Sequence, residues 1–171
     1  MRSLISILFL IPLLINCQSE KTAISKYPAH VGNVEFDEKI DDPNFNRCLP
    51  EGSYAYQYYN GDSSGIQYKG EKLEIIRTLE IENIQSSKDI NGYITVRFVV
   101  NCEGKAGIFR MQQMDEEYKE KELDQKFSEQ ILSFTKKLNG WIPKKIQGTK
   151  VDYYQYLTFK IEHGKVSEIL P

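Results

Sequence analysis

Apolar and polar residues alternate along the segment Tyr93–Val100, which reads Y-I-T-V-R-F-V-V. One face of this extended segment carries Ile94, Val96, Phe98 and Val100. A period of two in β-branched and aromatic residues predicts a β-strand. A turn at Gly104 follows, and residues 107–114 predict a second strand. Together the two segments predict a β-hairpin.

A helical period precedes the hairpin. Leu73, Ile76 and Leu79 recur at every third position with charged residues between them, and Ile75 widens the apolar face. This spacing predicts a helix of about three turns beginning near Lys69-Gly70-Glu71.

A second helical period follows the hairpin and a charged stretch over residues 116–122. Its apolar stripe has spacings of four, four, three and four residues, and consists of Leu123, Phe127, Ile131, Phe134 and Leu138. This stripe predicts an amphipathic helix, and Gly140 is the residue expected to end it.

Residues 151–161 predict the last long strand, and residues 166–170 predict a short edge strand after it. The order is therefore helix, strand, strand, helix, strand. This order predicts an α+β fold with a small antiparallel sheet and two helices, spanning residues 69–171.

The beginning of the chain has a different character. Arg2 is followed by a nearly continuous apolar run over residues 4–15, too short to span a bilayer as a helix but typical of a secretory signal. The stretch L-L-I-N-C resembles a bacterial lipobox, so we expect a lipoprotein signal peptide at residues 1–16 and lipid on Cys17. An ordinary signal peptide with an incidental Cys17, or a buried helix, are the alternatives.

Two further segments separate Cys17 from the predicted domain. Residues 17–40 are polar and without a period, which predicts a flexible tether. Residues 41–68 begin with turn chemistry at Asp41–Asn44 and contain Phe45 and Leu49, so we expect an extension packed on the domain.

Cysteine content suggests one disulfide. If Cys17 carries lipid, Cys48 and Cys102 remain in an oxidising compartment, where a pair most simply forms a disulfide. The bridge would close a loop of about 55 residues and stabilise the fold by roughly 4 kcal/mol. A zinc site with His30 and His163 is the alternative, although neither cysteine has a partner at short ligand spacing.

Composition excludes some functions. Lys and Arg total 22 and Asp and Glu total 24, so the net charge is only -2 and gives no long-range field that would attract nucleic acid. The sequence contains no zinc-protease, nucleophile-elbow or phosphate-loop motif. We therefore expect no enzyme, no cofactor and no metal.

Three runs of residues carry a resemblance to a known family. They are G-Y-I-T-V-R-F-V-V-N-C-E-G-K-A, W-I-P-K-K-I-Q-G-T-K-V and Y-Y-Q-Y-L-T-F-K-I. In this order, with the helices before and between them, they resemble the C-terminal domain of TonB-like proteins over residues 69–171, about 60% of the chain.

The resemblance implies a small periplasmic interaction domain that holds a partner segment by adding a strand to its sheet. The implied binding edge is the last long strand or the short segment after it. Its candidate residues are Val151, Tyr153, Tyr154, Tyr156 and Thr158. The expected location is the cell envelope, lipid-anchored and facing the periplasm, and class analogy favours the outer membrane. The expected partner is an envelope protein or peptide.

Trp141 is the only tryptophan and stands beside Pro143 in a lysine-containing break. The resemblance implies that Trp141 and Pro143 pack under the second helix against the sheet, while an exposed anchor is the alternative. Lys144 and Lys145 are expected to face solvent.

A second function class remains open at this point. The segment 54–59 is rich in tyrosine, and its aromatic side chains could line the pocket of a small envelope carrier or enzyme. The residues of that pocket would be Tyr54, Tyr56, Tyr58 and Tyr59.

Overall fold

A computed structural model describes residues 34–50, 53–61 and 65–170. The expectations for the signal peptide, for Cys17 and for the tether up to residue 33 fall outside these residues. The elements in chain order are β1 (Tyr56–Gln57), α1 (Glu71–Glu82), β2 (Gly92–Val100), β3 (Ala106–Met114), α2 (Gln125–Lys137), β4 (Lys144–Ile146), β5 (Thr149–Val151), β6 (Tyr153–Glu162) and β7 (Lys165–Leu170).

The main sheet has five strands in the order β1-β6-β2-β3, and β7 also pairs with β6. The β2–β3 hairpin and the β2–β6 pair are antiparallel, whereas β1 runs parallel to β6. The predicted α+β class with two helices is confirmed, but the sheet is mixed rather than purely antiparallel. Strands β4 and β5 form a separate two-stranded hairpin.

The core lies between the helices and one face of the sheet. The predicted alternation in β2 holds, because Ile94, Val96, Phe98 and Val100 are all fully buried. The α2 stripe meets them with Phe127, Ile131 and Phe134, each at most 1% exposed. Burying such side chains contributes about 2 kcal/mol each.

Helix α1 departs from its predicted apolar stripe. Leu73 is 55% exposed, while Ile75 and Leu79 are the buried residues and Ile76 is partly buried. The buried pair is spaced by four residues, which places both side chains on one face. The three-residue spacing was therefore the wrong guide to the buried face.

Helix α2 begins and ends with different chemistry. The Asp124 carboxylate accepts a hydrogen bond from the Phe127 backbone at 2.9 Å and caps the first turn. The helix ends at Lys137, before Gly140, so Gly140 is not its terminating residue. Instead, a Cβ at Gly140 would come within 2.6 Å of the Tyr68 ring, which explains why a glycine is needed there.

The opposite face of the sheet is covered by the N-terminal extension. Val34 is buried and its backbone donates to the Tyr154 hydroxyl at 3.2 Å, so packing begins ahead of the predicted boundary at residue 41. Phe45 lies against Gly107, where a Cβ would come within 2.3 Å of the ring. The sheet therefore has a cover on each face.

Candidate functional site

The predicted binding edge on β6 is not an open edge. β2 pairs with β6 from Tyr153 to Ile161 on one side. On the other side β1 pairs with Tyr153 and Tyr154, and β7 pairs with β6 from Thr158 onwards. The Tyr156 carbonyl, between these two strands, accepts a hydrogen bond from the Gln155 amide.

Val151 is the last residue of β5, where it pairs with Lys144. An added strand therefore cannot run along the residues from 151 to 158. The prediction of this edge was wrong because a central strand and an edge strand carry similar residues, and only the sheet order distinguishes them.

Strand β7, the short segment after β6 that was the other candidate binding edge, is an outer strand whose two ends are covered. Gln85 forms a bridge with Lys165 at the start of β7. Near its end, the Lys72 ammonium donates to the Ile169 carbonyl at 3.0 Å. Both contacts occupy positions that an incoming strand would need.

The outer edge of β3 is more open. In the described part of the chain, β3 pairs with β2, and its far end forms one bridge from Met114 to Glu120. A bulge at Ile108, whose φ is 55°, shifts the register near its beginning. Beyond the bulge, the strand runs regularly from Phe109 to Met114. Its Phe109 carbonyl accepts from Arg110 Nη1 at 2.8 Å and its Gln113 carbonyl accepts from the Lys121 backbone at 3.1 Å, so the open stretch is centred on Met111.

Two depressions follow this edge. The larger, of about 650 Å³, lies beside the start of β3 and is bounded by residues 40–46 of the extension and residues 136–139 after α2. The smaller, of about 310 Å³, lies between Met111 and the first turns of α2. The edge of β3 is thus flanked by concave surface along most of its length.

Lys136 overhangs the larger depression. Its ammonium lies 5.7 Å from the centroid of the Phe109 ring, within the range of a cation–π contact. The side chains beside the edge therefore combine an aromatic ring with a positive charge.

The Cys48–Cys102 disulfide predicted from sequence is present, with the two Cα atoms 5.9 Å apart. It joins the extension to the turn between β2 and β3. His163, the described member of the zinc alternative, instead contacts Asp89 at 3.0 Å on the surface.

Asp152 was missed by sequence reasoning and organises the surroundings of the disulfide. Its fully buried carboxylate accepts from the backbone of Cys48, Leu49 and Cys102 at 2.9–3.1 Å. Arg47 Nε lies 3.5 Å from the same carboxylate, close enough for an ion pair. The one available signal was a lone acid between two apolar residues at the start of a strand.

Cys48, Cys102 and Asp152 also have the residue types of a metal site, with ligand atoms within 4.8 Å of one another. However, both sulfurs are bonded to each other, and the carboxylate oxygens already accept three backbone N–H groups. We therefore interpret this cluster as a structural junction.

Only some of the rings in the tyrosine-rich segment lie close together. The Tyr58 ring lies 5.2 Å from both the Tyr59 ring and the Tyr156 ring. Tyr54 and Tyr56 are exposed, at 70% and 40%. The predicted four-tyrosine pocket is thus reduced to Tyr58 and Tyr59, with Tyr156 from β6 as an addition.

Arg97 lies in this aromatic neighbourhood. Its guanidinium carbon is 4.9 Å from the centroid of the Tyr154 ring. Its Nε and Nη2 atoms are buried and have no hydrogen-bond partner among the described residues. Burial lowers the pKa of Arg97 from its ordinary range.

Trp141 is 3% exposed and contacts the Tyr68 and Phe98 rings at 4.8 and 4.9 Å. Pro143 lies nearby, against the turn at Gly104. The expectation that Lys144 faces solvent was wrong, because it is 3% exposed and its ammonium donates to the Tyr58 carbonyl at 2.9 Å.

Neither helix in the described residues is long and apolar enough to cross a bilayer. Comparisons with known protein families, with curated proteins and with solved structures gave no match to this chain.

Proposed function

We propose that this chain is a non-catalytic protein of the cell envelope, lipid-anchored at Cys17, whose domain binds an extended segment of a partner protein. The partner adds as a strand to the outer edge of β3. The observation that carries this proposal is the outer edge of β3 around Met111, which pairs with no other strand of the described residues and is flanked by two depressions. The lipid anchor rests on the sequence L-L-I-N-C.

The direction of the backbone groups in β3 supports the proposal. Backbone groups alternate in direction along an antiparallel strand, so Phe109 and Met111 direct their amides to the same side as the backbone groups of Gln113. The Gln113 carbonyl, in the same alternation, accepts from the Lys121 backbone at 3.1 Å outside the β2–β3 ladder. An incoming strand meets these amides directly.

The two depressions supply the second part of the recognition. In strand addition, main-chain hydrogen bonds provide affinity and pockets for alternate side chains provide specificity. The aromatic ring of Phe109 and the ammonium of Lys136 suit an apolar or acidic side chain at the larger depression. The partner segment is therefore expected to be extended and to carry such residues at alternate positions.

A proline at position 111 tests the edge directly. Proline is tolerated in an edge strand where its N–H would face outwards, so Met111→Pro should fold but lose the main-chain bond to a partner strand. Peptides of about ten residues would be selected by display against the full chain in detergent. We expect their affinity to fall at least about tenfold in Met111→Pro, while Met111→Ala, which keeps the amide, binds more tightly than Met111→Pro.

Two controls make the test specific. Gln112→Pro removes an N–H directed at β2 and should lower thermal stability more than Met111→Pro does. In the unmodified chain, bound peptide should slow hydrogen exchange at the amides of Phe109 and Met111. Slowed exchange at β7 with no change at β3 would overturn the proposal.

A further inference from the structure

Arg97 and Arg110 are neighbours in the sheet with very different surroundings. They are register partners on β2 and β3, so their side chains lie on the same face. Arg110 holds the Asp41 carboxylate with two contacts of 2.7 Å, and it also donates to the carbonyls of Glu35 and Phe109. Its guanidinium is thus paired with an anion and closely bonded.

The guanidinium of Arg97, by contrast, is not paired with an anion in the described residues. Its two buried, unpartnered nitrogens, Nε and Nη2, form one edge of the guanidinium, and this edge is the geometry that accepts both oxygens of a carboxylate side by side. Among the described residues, no carboxylate forms an ion pair with Arg97. A buried charge without partners is costly, so such an edge calls for a specific reason.

The tyrosines around Arg97 do not provide the negative charge. Burial and the contact with Tyr58 raise the pKa of Tyr156 to about 12, so this phenol is neutral at ordinary pH. Tyr154 contributes the face of its ring, and its hydroxyl accepts from the Val34 backbone. Neutral hydroxyl groups can instead donate to an anion.

We propose that Arg97 is the anchor of a binding site for a small molecule bearing a carboxylate attached to a flat apolar body. The carboxylate lies side-on against Nε and Nη2, and the body contacts the rings of Tyr59 and Tyr156. A planar anion matches the straight guanidinium edge better than a tetrahedral one does. Aromatic rings favour a flat ligand through stacking.

Entry to the site is provided by the turn that carries Tyr59. This side chain is 53% exposed, although the backbone turn from Gln57 to Asn60 that carries it is held by hydrogen bonds of 3.0 and 2.8 Å between those two residues. In the proposed site, the exposed Tyr59 side chain, which lies near Arg97, rotates to admit the ligand while the turn and the pairing of β6 with β2 stay in place. The site is separate from the β3 edge, so the two proposals fail independently.

Benzoate is a suitable probe, and benzamide is its neutral isostere. In the full chain in detergent, titration with benzoate should shift the Nε–H resonance of Arg97 in a saturable manner, while benzamide leaves it unchanged. Benzoate should also raise the unfolding temperature. Arg97→Lys retains the charge without the edge and should weaken benzoate binding at least about tenfold.

Arg77→Lys is the matched control, because Arg77 is an exposed arginine on α1 and its replacement should leave the affinity unchanged. An equal response to benzamide, or unaltered affinity in Arg97→Lys, would overturn the site. Tighter binding of inorganic phosphate than of benzoate would overturn the assignment to a carboxylate. The titration of the unmodified chain decides the question even if Arg97→Lys does not fold.

Discussion

Asp152 and Arg97 are both charged residues beside the central strands, the first fully buried and the second half-buried, yet they are held in opposite ways. Asp152 accepts three backbone N–H groups and lies near Arg47, so its charge is compensated on all sides. Arg97 presents two buried nitrogens with no partner among the described residues. The Asp152 carboxylate stabilises the fold, whereas the guanidinium edge of Arg97 can bind a ligand.

This difference separates structural polarity from binding polarity. Burying a charge is expensive unless hydrogen bonds replace the lost water, and a fold that supplies all of them gains a junction. Where the fold supplies no hydrogen bonds to a buried charged group, that group can form them with a ligand. The predictions below, from the largest expected effect to the smallest, test whether the two charges differ in this way.

Removal of the disulfide should have the largest effect on the Asp152 junction. The double substitution Cys48→Ala with Cys102→Ala opens a loop of sequence separation 54 and should lower the free energy of unfolding by about 4 kcal/mol. Equilibrium urea unfolding measures this loss. A loss below about 1 kcal/mol would mean that the hydrogen bonds to Asp152 hold the extension without the bridge.

Asp152→Ala should cost about 3 kcal/mol, because it leaves three backbone donors without their acceptor. Asp152→Asn keeps one acceptor oxygen and should cost less. Urea unfolding of both variants gives the comparison. Equal losses in the two variants would show that packing, not hydrogen bonding, makes Asp152 important.

Arg110→Met should destabilise the fold by about 2 kcal/mol, since it leaves the Asp41 side chain, only 3% exposed, without its cation. The same substitution at Arg97 provides the matched comparison. If both methionine variants unfolded at the same urea concentration, the proposed contrast between the paired and the unpaired arginine would be lost.

Acid should weaken the Arg110 pair in a defined pH range. Burial alone would raise the pKa of Asp41, but hydrogen bonds from Arg110 and the Asp37 backbone hold the pKa below its ordinary value of 3.8. Because the folded pKa is the lower one, this stabilisation is present above about pH 4 and is lost as the pH falls through the folded pKa.

The measurement is the urea midpoint at about pH 5 and about pH 3. It should fall further in the unmodified chain than in Arg110→Met, which has already lost this contribution. A steeper fall in the variant would contradict the assignment.

Arg97→Met should have the smallest effect on stability, within about 1 kcal/mol of the unmodified chain or slightly stabilising. An apolar side chain of similar length removes an uncompensated charge and can still pack on Tyr154. Thermal unfolding checks this. A loss above about 2 kcal/mol would indicate that Arg97 is a structural residue.

The sequence predicted the parts of the fold that depend on local periodicity. Strand β2 and helix α2 have strong patterns, and both formed where expected. The stripe of α1 was ambiguous because four apolar residues occupy overlapping positions, and tertiary packing selected Ile75 over Leu73. When the apolar pattern of a helix is weak, packing against the sheet determines which of its residues are buried.

The candidate sites were harder to predict because they depend on the order of strands. No local pattern states that β1 and β7 both pair with β6, and this arrangement moves the open edge to β3. Arg97 was visible only as a charge within an apolar run. Its importance depends on Tyr154 and Tyr156, more than fifty positions later in the chain.

The position of β6 in the sheet also has a consequence for the order of folding. The β2–β3 hairpin is local and closes through the turn Asn101–Lys105. Strand β1, by contrast, pairs Tyr56 with Tyr153, about 97 positions away, and such long-range contacts form slowly. Residues 41–48 can pack on the hairpin early, through Asp41 and Phe45, but β1 has no pairing strand until β6 is in place. A protease or holding chaperone that meets the nascent domain therefore encounters β1 and the turn after it as the last unprotected part of the extension.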